Sequence, residues 1–311
     1  MEGLVPKESL QTFDRLSTEL AGLAHAAGPL VVGVHGRRRW PSTGVVWGDR
    51  LVVTAAHAIR RRGEVPITLA DETTTQGAVL GVDAATDLAV LKTTAPATSF
   101  MPMADSRALA VGMLGLVVSR RASGAVAATL ASVRSPWRAG RRVLAPVQDG
   151  AFLLSVAAYP GLSGSPFLTA NGCVAGVAIG GFGPGAVLIP AHVVSRVVDE
   201  IAAKGRVSAP YLGIATQPAQ LPERLLQPLG LDRPDGILLV GTQPDGPADS
   251  AGWLIGDVLV QLGVTATPDL EGLQVALAAA TVGEATPARL VRGGEMKTLP
   301  IRVGERPRSR C

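Results

Sequence analysis

The sequence predicts a mostly β protein of two domains, and three observations support that class. The chain has 311 residues, enough for two domains of roughly 150 residues each. It contains 37 Gly and 23 Pro, the residues of tight turns, and 47% of its residues are apolar. Short apolar runs rich in Val follow one another between these turn residues. This pattern is typical of antiparallel barrels or of a sandwich.

The first domain is expected to follow an N-terminal helical segment over residues 1–27. Apolar residues recur at helical spacing there, so we predict a helix near 8–26. A helix over 191–204, ending at Gly205, closes the domain. Strands are predicted between the two helices at 30–34, 43–47, 50–54, 66–69, 77–82, 88–92, 111–118, 126–133, 152–157, 173–179 and 186–189.

A second domain is expected to begin near residues 207–210. Its predicted elements are a strand at 236–241, a helix at 269–280 and a final strand pair at 288–292 and 298–303. The predicted division is therefore an N-terminal segment 1–27, a first domain 28–206, a second domain 208–304 and a flexible tail 305–311.

Charge and cysteine content argue against several functional classes. The formal net charge is only +4, and the arginine clusters at 37–39, 60–62 and 141–142 are short and lack interleaved aromatic residues. We interpret them as solvated loop faces and expect no nucleic-acid partner. The two cysteines, Cys173 and Cys311, form no disulfide framework or zinc motif, so we expect no metal and no cofactor.

The sequence also bears on location. No run reaches the roughly 20 apolar residues of a membrane span, so no such span is expected. The first residues lack a basic stretch followed by a long apolar one. As written, the chain is predicted to be cytoplasmic, and a start site further upstream would make it periplasmic or otherwise extracytoplasmic.

Three segments, in the order His, Asp, Ser, carry candidate catalytic groups. His57 follows an apolar strand, Asp87 opens another, and Ser163 lies between Gly161 and Gly164. A serine hydroxyl needs an imidazole to take its proton and a carboxylate to orient that imidazole. Alone, each residue has a structural interpretation: a satisfied histidine, a strand-start cap and a Gly/Ser turn. Together they predict a base, its orienting acid and a nucleophile in the order of chymotrypsin-like proteases.

The glycines around Ser163 favour an oxyanion hole. Glycine lets main-chain N–H groups turn toward the carbonyl oxygen that gains negative charge during acyl transfer. The N–H groups of Gly161 and Ser163 are the predicted pair. Asp83 is the nearest competitor of Asp87, and its surroundings place it in the preceding loop.

At this point the chain resembles a known family, the HtrA (DegP/DegQ-like) serine proteases. The stretches that carry the resemblance in the first domain are 43–46 leading to 54–57, 86–92, 104–106 with 111–112, and 161–164. In the second domain they are 211–214, 246–248 with 251–252, 256–259 and 292–294. The resemblance covers roughly residues 28–304.

The resemblance implies a chymotrypsin-like double β-barrel followed by a PDZ domain, which is a small α+β, partly open barrel. It implies cleavage of unfolded or misfolded polypeptides through an acyl-enzyme, binding of peptide C-termini by the PDZ domain, and a homotrimer. The implied site residues are His57, Asp87 and Ser163 for catalysis; Gly161 and Ser163 for the oxyanion hole; Val187, Leu188 and Ile189 for the specificity pocket; and Tyr211, Leu212, Gly213, Ile214, Leu273 and Leu277 for the peptide groove.

The chain departs from the family pattern near the nucleophile. Leu162 stands where the family usually has Asn, Ser165 replaces a second Gly, and residues 114–121 lack the Gly-Asn-Pro-Phe-Gly-like turn. With no acidic residue in 186–189, we expect a small or medium aliphatic residue before the cleaved bond.

The alternative function is a catalytically silent peptide-binding scaffold or chaperone that acts through the PDZ domain. An esterase is disfavoured because α/β-hydrolases place their groups in another order.

Overall fold

The computed structural model describes residues 7–36, 41–59, 63–95, 100, 102–121, 123–137, 150–181, 185–207 and 210–305. Several segments named above lie outside the described residues. They are the arginine clusters at 37–39, 60–62 and 141–142 and the last six residues of the predicted tail, which include Cys311. The chain divides into two compact units, Met1–Val207 and Ser208–Cys311. None of the described helices is long and apolar enough to cross a membrane.

The first six strands form a closed antiparallel barrel. Around the barrel their order is β1-β2-β3-β6-β5-β4, and β1 closes it by pairing with β4. Val32, Val34, Val52, Ile67 and Leu91 pack together as a buried cluster of this barrel. The strands are β1 (Val31–Val34), β2 (Ser42–Gly48), β3 (Leu51–Ala55), β4 (Glu64–Thr68), β5 (Thr74–Asp83) and β6 (Leu88–Thr93).

The next six strands form a second closed barrel, in the order β10-β11-β12-β9-β8-β7. Phe167 and Leu188 are fully buried in its core. Two closed six-strand barrels confirm the predicted chymotrypsin-like double barrel. The strands are β7 (Leu114–Arg120), β8 (Val126–Pro136), β9 (Phe152–Leu154), β10 (Ser165–Thr169), β11 (Val174–Gly180) and β12 (Ala186–Pro190).

Two helices accompany the barrels. Helix α1 (Lys7–Ala27) occupies the predicted N-terminal segment. Helix α2 (Ala191–Lys204) ends at Gly205, whose N–H donates to Ile201 O at 2.7 Å, as predicted for a left-handed C-terminal cap. Val194 and Ile201 of α2 join a core cluster that includes residues of both barrels, so this helix braces the double barrel.

The second unit is a small α+β domain consistent with the predicted PDZ domain. Its main sheet has the order β14-β15-β16-β18-β19, β17 pairs with β16, and β13 pairs with β20. Among the described strands β14 pairs only with β15, so its other edge is open. The strands are β13 (Pro210–Tyr211), β14 (Ile214–Gln220), β15 (Asp235–Thr242), β16 (Val258–Leu262), β17 (Thr265–Ala266), β18 (Ala285–Arg292), β19 (Glu295–Arg302) and β20 (Gly304–Glu305), and the helices are α3 (Leu226–Leu229), α4 (Pro247–Ser250) and α5 (Leu270–Ala279).

A buried carboxylate fixes one end of β16 in this unit. The Asp257 side chain is 1% exposed and accepts from Arg292 Nε at 2.7 Å and from Arg292 Nη2 at 2.8 Å. Burial alone would raise the pKa of Asp257. The hydrogen bonds from Arg292 and Leu254 N, together with the charge of Arg292, outweigh it and hold that pKa below its ordinary value of 3.8.

We expect Arg292→Met to destabilise the second unit by about 3 kcal/mol at pH 7, because it leaves a buried carboxylate without its cation. A carboxyl group with a depressed pKa stabilises the fold above its unfolded pKa and loses that contribution as pH falls through the folded value. The difference from wild type should therefore shrink below about pH 4. Urea unfolding at pH 7 and pH 3 measures it. Arg302→Met is the control, since within the described part of the chain Arg302 Nη1 donates only to the exposed Gly283 O. An equal loss of stability in Arg302→Met would contradict the role assigned to the Asp257–Arg292 pair.

Candidate active site

The fold brings His57 and Asp87 together at one end of the first barrel. His57 lies in a 3₁₀ turn (Ala56–Ala58) directly after β3, and Asp87 directly precedes β6. These strands are neighbours, with Ala55 opposite Leu88. His57 Nδ1 donates to Asp87 Oδ2, and His57 N donates to Asp87 Oδ1 at 2.8 Å. The carboxylate therefore fixes the main chain and the ring of the histidine, leaving Nε2 as the ring nitrogen for proton transfer.

Asp87 is held on its main chain as well as its side chain. Its φ is +55°, a left-handed conformation that Asp tolerates better than most residues. Its carbonyl oxygen accepts from Ala56 N at 2.7 Å. Asp83, the competitor in the sequence, instead accepts from Thr86 Oγ1 at 2.7 Å and from Ala85 N at 3.1 Å. Asp83 thus stabilises its own turn, while Asp87 accepts hydrogen bonds from His57.

Ser163 lies in a tight turn before β10, which we call the nucleophile loop (residues 161–164). Gly164 has φ +89°, and its N–H donates to Ala178 O at 2.9 Å. A Cβ on Gly164 would lie 1.9 Å from Thr43 O, so only glycine fits. Leu162 is fully buried in the core of the second barrel. The departure from Asn at this position therefore gives the loop an apolar anchor.

The two N–H groups predicted for an oxyanion hole have no acceptor among the described residues: those of Gly161 and Ser163. Their neighbours are committed, since Leu162 N donates to Tyr159 O at 3.1 Å and Gly164 N donates to Ala178 O. The loop thus has two donors available for a ligand oxygen, on either side of a residue whose own N–H is used internally.

The hydroxyl of Ser163 is oriented toward β11. Ser163 Oγ accepts from Gly180 N at 3.0 Å. Among the hydrogen bonds of the described residues, none joins Ser163 Oγ to His57. Catalytic hydrogen bonds in substrate-free enzymes are often long and tighten only with substrate. In this structure Ser163 is linked to the His57 segment through Thr43, whose N–H donates to Ser163 O at 3.0 Å and whose carbonyl accepts from Thr54 Oγ1 at 2.7 Å.

The residues predicted for the specificity pocket are all in β12. Val187, Leu188 and Ile189 have no exposed surface and pack in the barrel cores. Their role in specificity stays a prediction.

The residues predicted for peptide binding lie at the start of the second unit and on α5. Leu212 and Leu273 are buried in the core of this unit, and Ile214 and Leu277 pack against it. Tyr211 donates its hydroxyl proton to Gln243 Oε1.

The loop between β13 and β14 is fixed through its carbonyl oxygens. Gln243 N donates to Gly213 O at 2.7 Å, and Ala248 N donates to Leu212 O at 2.9 Å. Within the described part of the chain, the N–H groups of Leu212 and Gly213 have no acceptor. These two donors lie immediately before the open-edged strand β14.

Sequence reasoning missed three residues around the nucleophile loop. They are Thr43, Gly180 and Arg120, none of which received a role at the site from the sequence. Gly180 and Thr43 bond the loop directly, across 17 and 118 positions of sequence. Arg120 N donates to Thr43 Oγ1, 77 positions away. No cluster of His, Cys, Asp or Glu within the described ranges could hold a metal ion.

The stretch of chain that carries the three candidate catalytic groups is similar to known peptidases. A family model described as a trypsin-like peptidase domain matches residues 42–177, the stretch that carries His57, Asp87 and Ser163. The matched segment begins at β2 and ends within β11, so it includes every strand that positions the three groups.

Curated relatives match this chain beyond residues 42–177. A protein named "Probable periplasmic serine endoprotease DegP-like" from Halomonas elongata is 27% identical over 292 residues, covering 90% of this chain and 60% of that protein. The protein of the same name from Chlamydia trachomatis is 28% identical over 270 residues, covering 85% and 53%. The chain spans about half to two thirds of the length of the curated relatives it matches.

Solved structures share the fold of most of the chain. "HtrA-type protease AlgW with decapeptide" superposes with a TM-score of 0.77 at 21% identity, covering 93% of this chain and 99% of that one. A serine endoprotease from Yersinia pestis gives 0.73 at 22% identity, covering 93% and 98%. Together with the relatives, these structures confirm the resemblance that the sequence motifs indicated.

Proposed function

We propose that the chain is an HtrA-type serine endopeptidase that cleaves unfolded or misfolded polypeptides and binds peptide C-termini through its second unit. The observation that carries this proposal is the hydrogen bond from His57 Nδ1 to Asp87 Oδ2, in a stretch similar to trypsin-like peptidase domains. In the same stretch, Ser163 lies in a loop that has two available main-chain donors, the N–H groups of Gly161 and Ser163. The names of the DegP-like relatives support it.

In the proposed reaction Ser163 Oγ attacks the carbonyl carbon of the scissile peptide bond. His57 Nε2 takes the hydroxyl proton and later gives it to the nitrogen of the leaving amine as the C–N bond breaks. Asp87 stabilises the imidazolium that forms in between. A water molecule then attacks the acyl ester, His57 again acting as base, and releases the new carboxylate with Ser163 restored.

The free N–H groups of Gly161 and Ser163 would receive the carbonyl oxygen as it becomes negatively charged. Donors that are already oriented need no reorganisation during the reaction, and each is worth about 3–4 kcal/mol of transition-state stabilisation in comparable sites. To reach His57, Ser163 Oγ must leave Gly180 N. A rotation about χ1 of the serine is the proposed movement.

The second unit offers the features of β-strand addition. A peptide would pair with the open edge of β14, and its terminal carboxylate would accept hydrogen bonds from Leu212 N and Gly213 N. Leu277 of α5 and Ile214 would contact the terminal apolar side chain. A solved structure of similar fold is that of an HtrA-type protease with a decapeptide, which supports peptide binding by the second unit. The homotrimer and the cytoplasmic location that the sequence suggested stay predictions.

The alternative function, a silent peptide-binding scaffold, is favoured by one observation: Ser163 Oγ accepts from Gly180 N, and no hydrogen bond within the described part of the chain joins it to His57. Casein digestion separates the two functions. The proposed protease degrades casein, leaves a compactly folded protein intact, and stops when pretreated with a fluorophosphonate. A scaffold leaves casein intact under all conditions, including with an added C-terminal peptide.

We expect peptide binding to depend on the terminal carboxylate. With the Ser163→Ala chain, which cannot cleave the ligand, a decapeptide ending in an aliphatic residue should bind at least about tenfold more tightly than its C-terminal amide, because hydrogen bonds to an ionised group are roughly twice as strong as neutral ones. Fluorescence anisotropy measures both affinities.

Two glycine variants test the location of that peptide site. Gly213→Ala strains a residue at φ +74°, and Gly230→Ala strains one at φ +62° elsewhere in the same unit. Only Gly213→Ala should weaken binding of the free carboxylate peptide. Equal affinity for acid and amide would contradict the assigned carboxylate site.

A further inference from the structure

Thr43, in β2, is fully buried, and all of its polar groups are engaged around the nucleophile loop. Its N–H donates to Ser163 O at 3.0 Å, and its hydroxyl donates to Gly161 O at 2.6 Å. The same hydroxyl oxygen accepts from Arg120 N at 3.0 Å. One residue of the first barrel therefore holds the carbonyl groups on both sides of Leu162.

These contacts fix the direction of two peptide planes. The plane between Gly161 and Leu162 is held through its carbonyl by Thr43 Oγ1 and through its N–H by Tyr159 O. The plane between Ser163 and Gly164 is held by Thr43 N and by Ala178 O. With those groups committed, the N–H groups left over are the two that the proposed reaction uses. A flipped 161–162 plane would forfeit the 2.6 Å bond and leave a buried hydroxyl without its acceptor.

Arg120, at the end of β7, fixes the position of Thr43 in turn. Its side chain is buried and donates to three main-chain carbonyls: Val31 O at 2.5 Å, Gly28 O at 2.7 Å and Gly124 O at 2.6 Å. Burial lowers the pKa of Arg120, and the carboxylate of Glu72 opposes that shift. The guanidinium thereby anchors β7 to the start of the first barrel, which holds Arg120 N against the threonine hydroxyl.

We propose that Thr43 is a positioning residue for the nucleophile loop, and that Arg120 holds its hydroxyl in the orientation that bonds Gly161 O. This inference deepens the proposed function and rests on it. Thr43 touches neither the substrate nor the reacting atoms. It acts by keeping the Gly161 carbonyl turned away from the space in which the substrate oxygen would lie.

Thr43→Val removes the hydroxyl at nearly constant volume, and Thr43→Ser retains it. We expect Thr43→Val to lower kcat for peptide hydrolysis by about 10- to 100-fold, as small losses of alignment do. KM should change less than about threefold, and Thr43→Ser should stay within about threefold of wild type. Thr93→Val is the matched control, because Thr93 is a buried threonine of the same barrel. It lies at the end of β6 opposite to Asp87, and its hydroxyl accepts from Ala95 N.

Two results would overturn the proposal. One is a wild-type kcat for Thr43→Val. The other is equal damage in Thr43→Ser, which would assign the effect to packing of the methyl group. If Thr43→Val does not fold, Thr43→Ala takes its place, since it also lacks the donor.

Hydrogen exchange separates this proposal from the proposed function. The amide proton of Leu162 should exchange at least about tenfold faster in Thr43→Val than in wild type, because the plane that carries it loses the bond from Thr43 Oγ1 to Gly161 O. The amide proton of Gly164 is the internal reference, because its plane keeps the bond from Thr43 N to Ser163 O. This readout needs no activity. An inactive wild type with the expected exchange would refute the protease and keep the positioning role, whereas unchanged exchange in an active protease would refute the positioning role alone.

Arg120→Met tests the second half of the proposal. It should lower kcat in the same direction as Thr43→Val, and the double variant should be no worse than Thr43→Val alone, since both changes act through one hydroxyl. Independent, additive losses would show that Arg120 does not act through Thr43.

Discussion

Ser163→Ala should lower kcat for proteolysis by about a million-fold, to the residual rate that binding and the oxyanion hole alone support. The reason is chemical: without Oγ no acyl-enzyme forms, and only direct attack by water on the bound peptide remains. Casein digestion followed by gel and mass spectrometry measures the loss. Binding of peptide C-termini should be unchanged, because the second unit folds around its own core.

Ser165→Ala is the matched control for this experiment. Ser165 lies two residues further along and is fully buried, and its hydroxyl has no hydrogen-bond partner among the described residues. Removing it should leave kcat within about threefold, as expected for a change that breaks no contact. If Ser163→Ala retained activity while Ser165→Ala lost it, the nucleophile would be assigned to the wrong serine.

Asp87→Asn should lower kcat by about 10⁴-fold while leaving the fold intact. Asn fills the same space and tolerates the left-handed backbone at φ +55°. Its neutral amide, however, stabilises the imidazolium poorly and permits the wrong tautomer of His57. The kinetic loss should lie in kcat rather than in KM, and steady-state assays with an aliphatic peptide substrate separate the two.

Asp83→Asn controls for the loss of a carboxylate in the same turn. Asp83 accepts from Thr86 and Ala85 but does not contact His57, so its replacement should cost stability rather than catalysis. We expect kcat within about threefold of wild type and a lower midpoint of thermal unfolding. A larger kinetic effect at Asp83 than at Asp87 would reverse the assignment of the orienting acid.

Local patterns in the sequence predicted most of the fold. The alternation of short apolar runs and turns gave the strand-rich class, and the end of α2 at Gly205 followed from one glycine after an apolar periodicity. The observed start of a strand differs from the predicted one where a turn precedes the strand. The strand predicted at 111–118 begins at Leu114, because Gly112 adopts φ +92° in the turn before it.

The site was predictable only in part, for a physical reason. Residue type and order suggested His57, Asp87 and Ser163, because few side chains can act as base, acid and nucleophile. The contacts that orient the nucleophile loop join Thr43 to Gly161 and Arg120 to Gly28, across 118 and 92 positions. Nothing local in the sequence marks such pairs. For Val187 to Ile189, the same apolar pattern suits a pocket wall and a closed core, and burial places them in the core.

The most direct test of the account is the position of a fluorophosphonate adduct. The reagent phosphonylates a serine, with loss of fluoride, only where a base activates its hydroxyl, and it does so without any need for the natural substrate. We predict one adduct on the wild-type chain, mapped by tandem mass spectrometry to Ser163 and absent from His57→Ala. An adduct on another serine, or none on an intact folded chain given casein or a C-terminal peptide, would contradict the assignment of this chain as a serine protease.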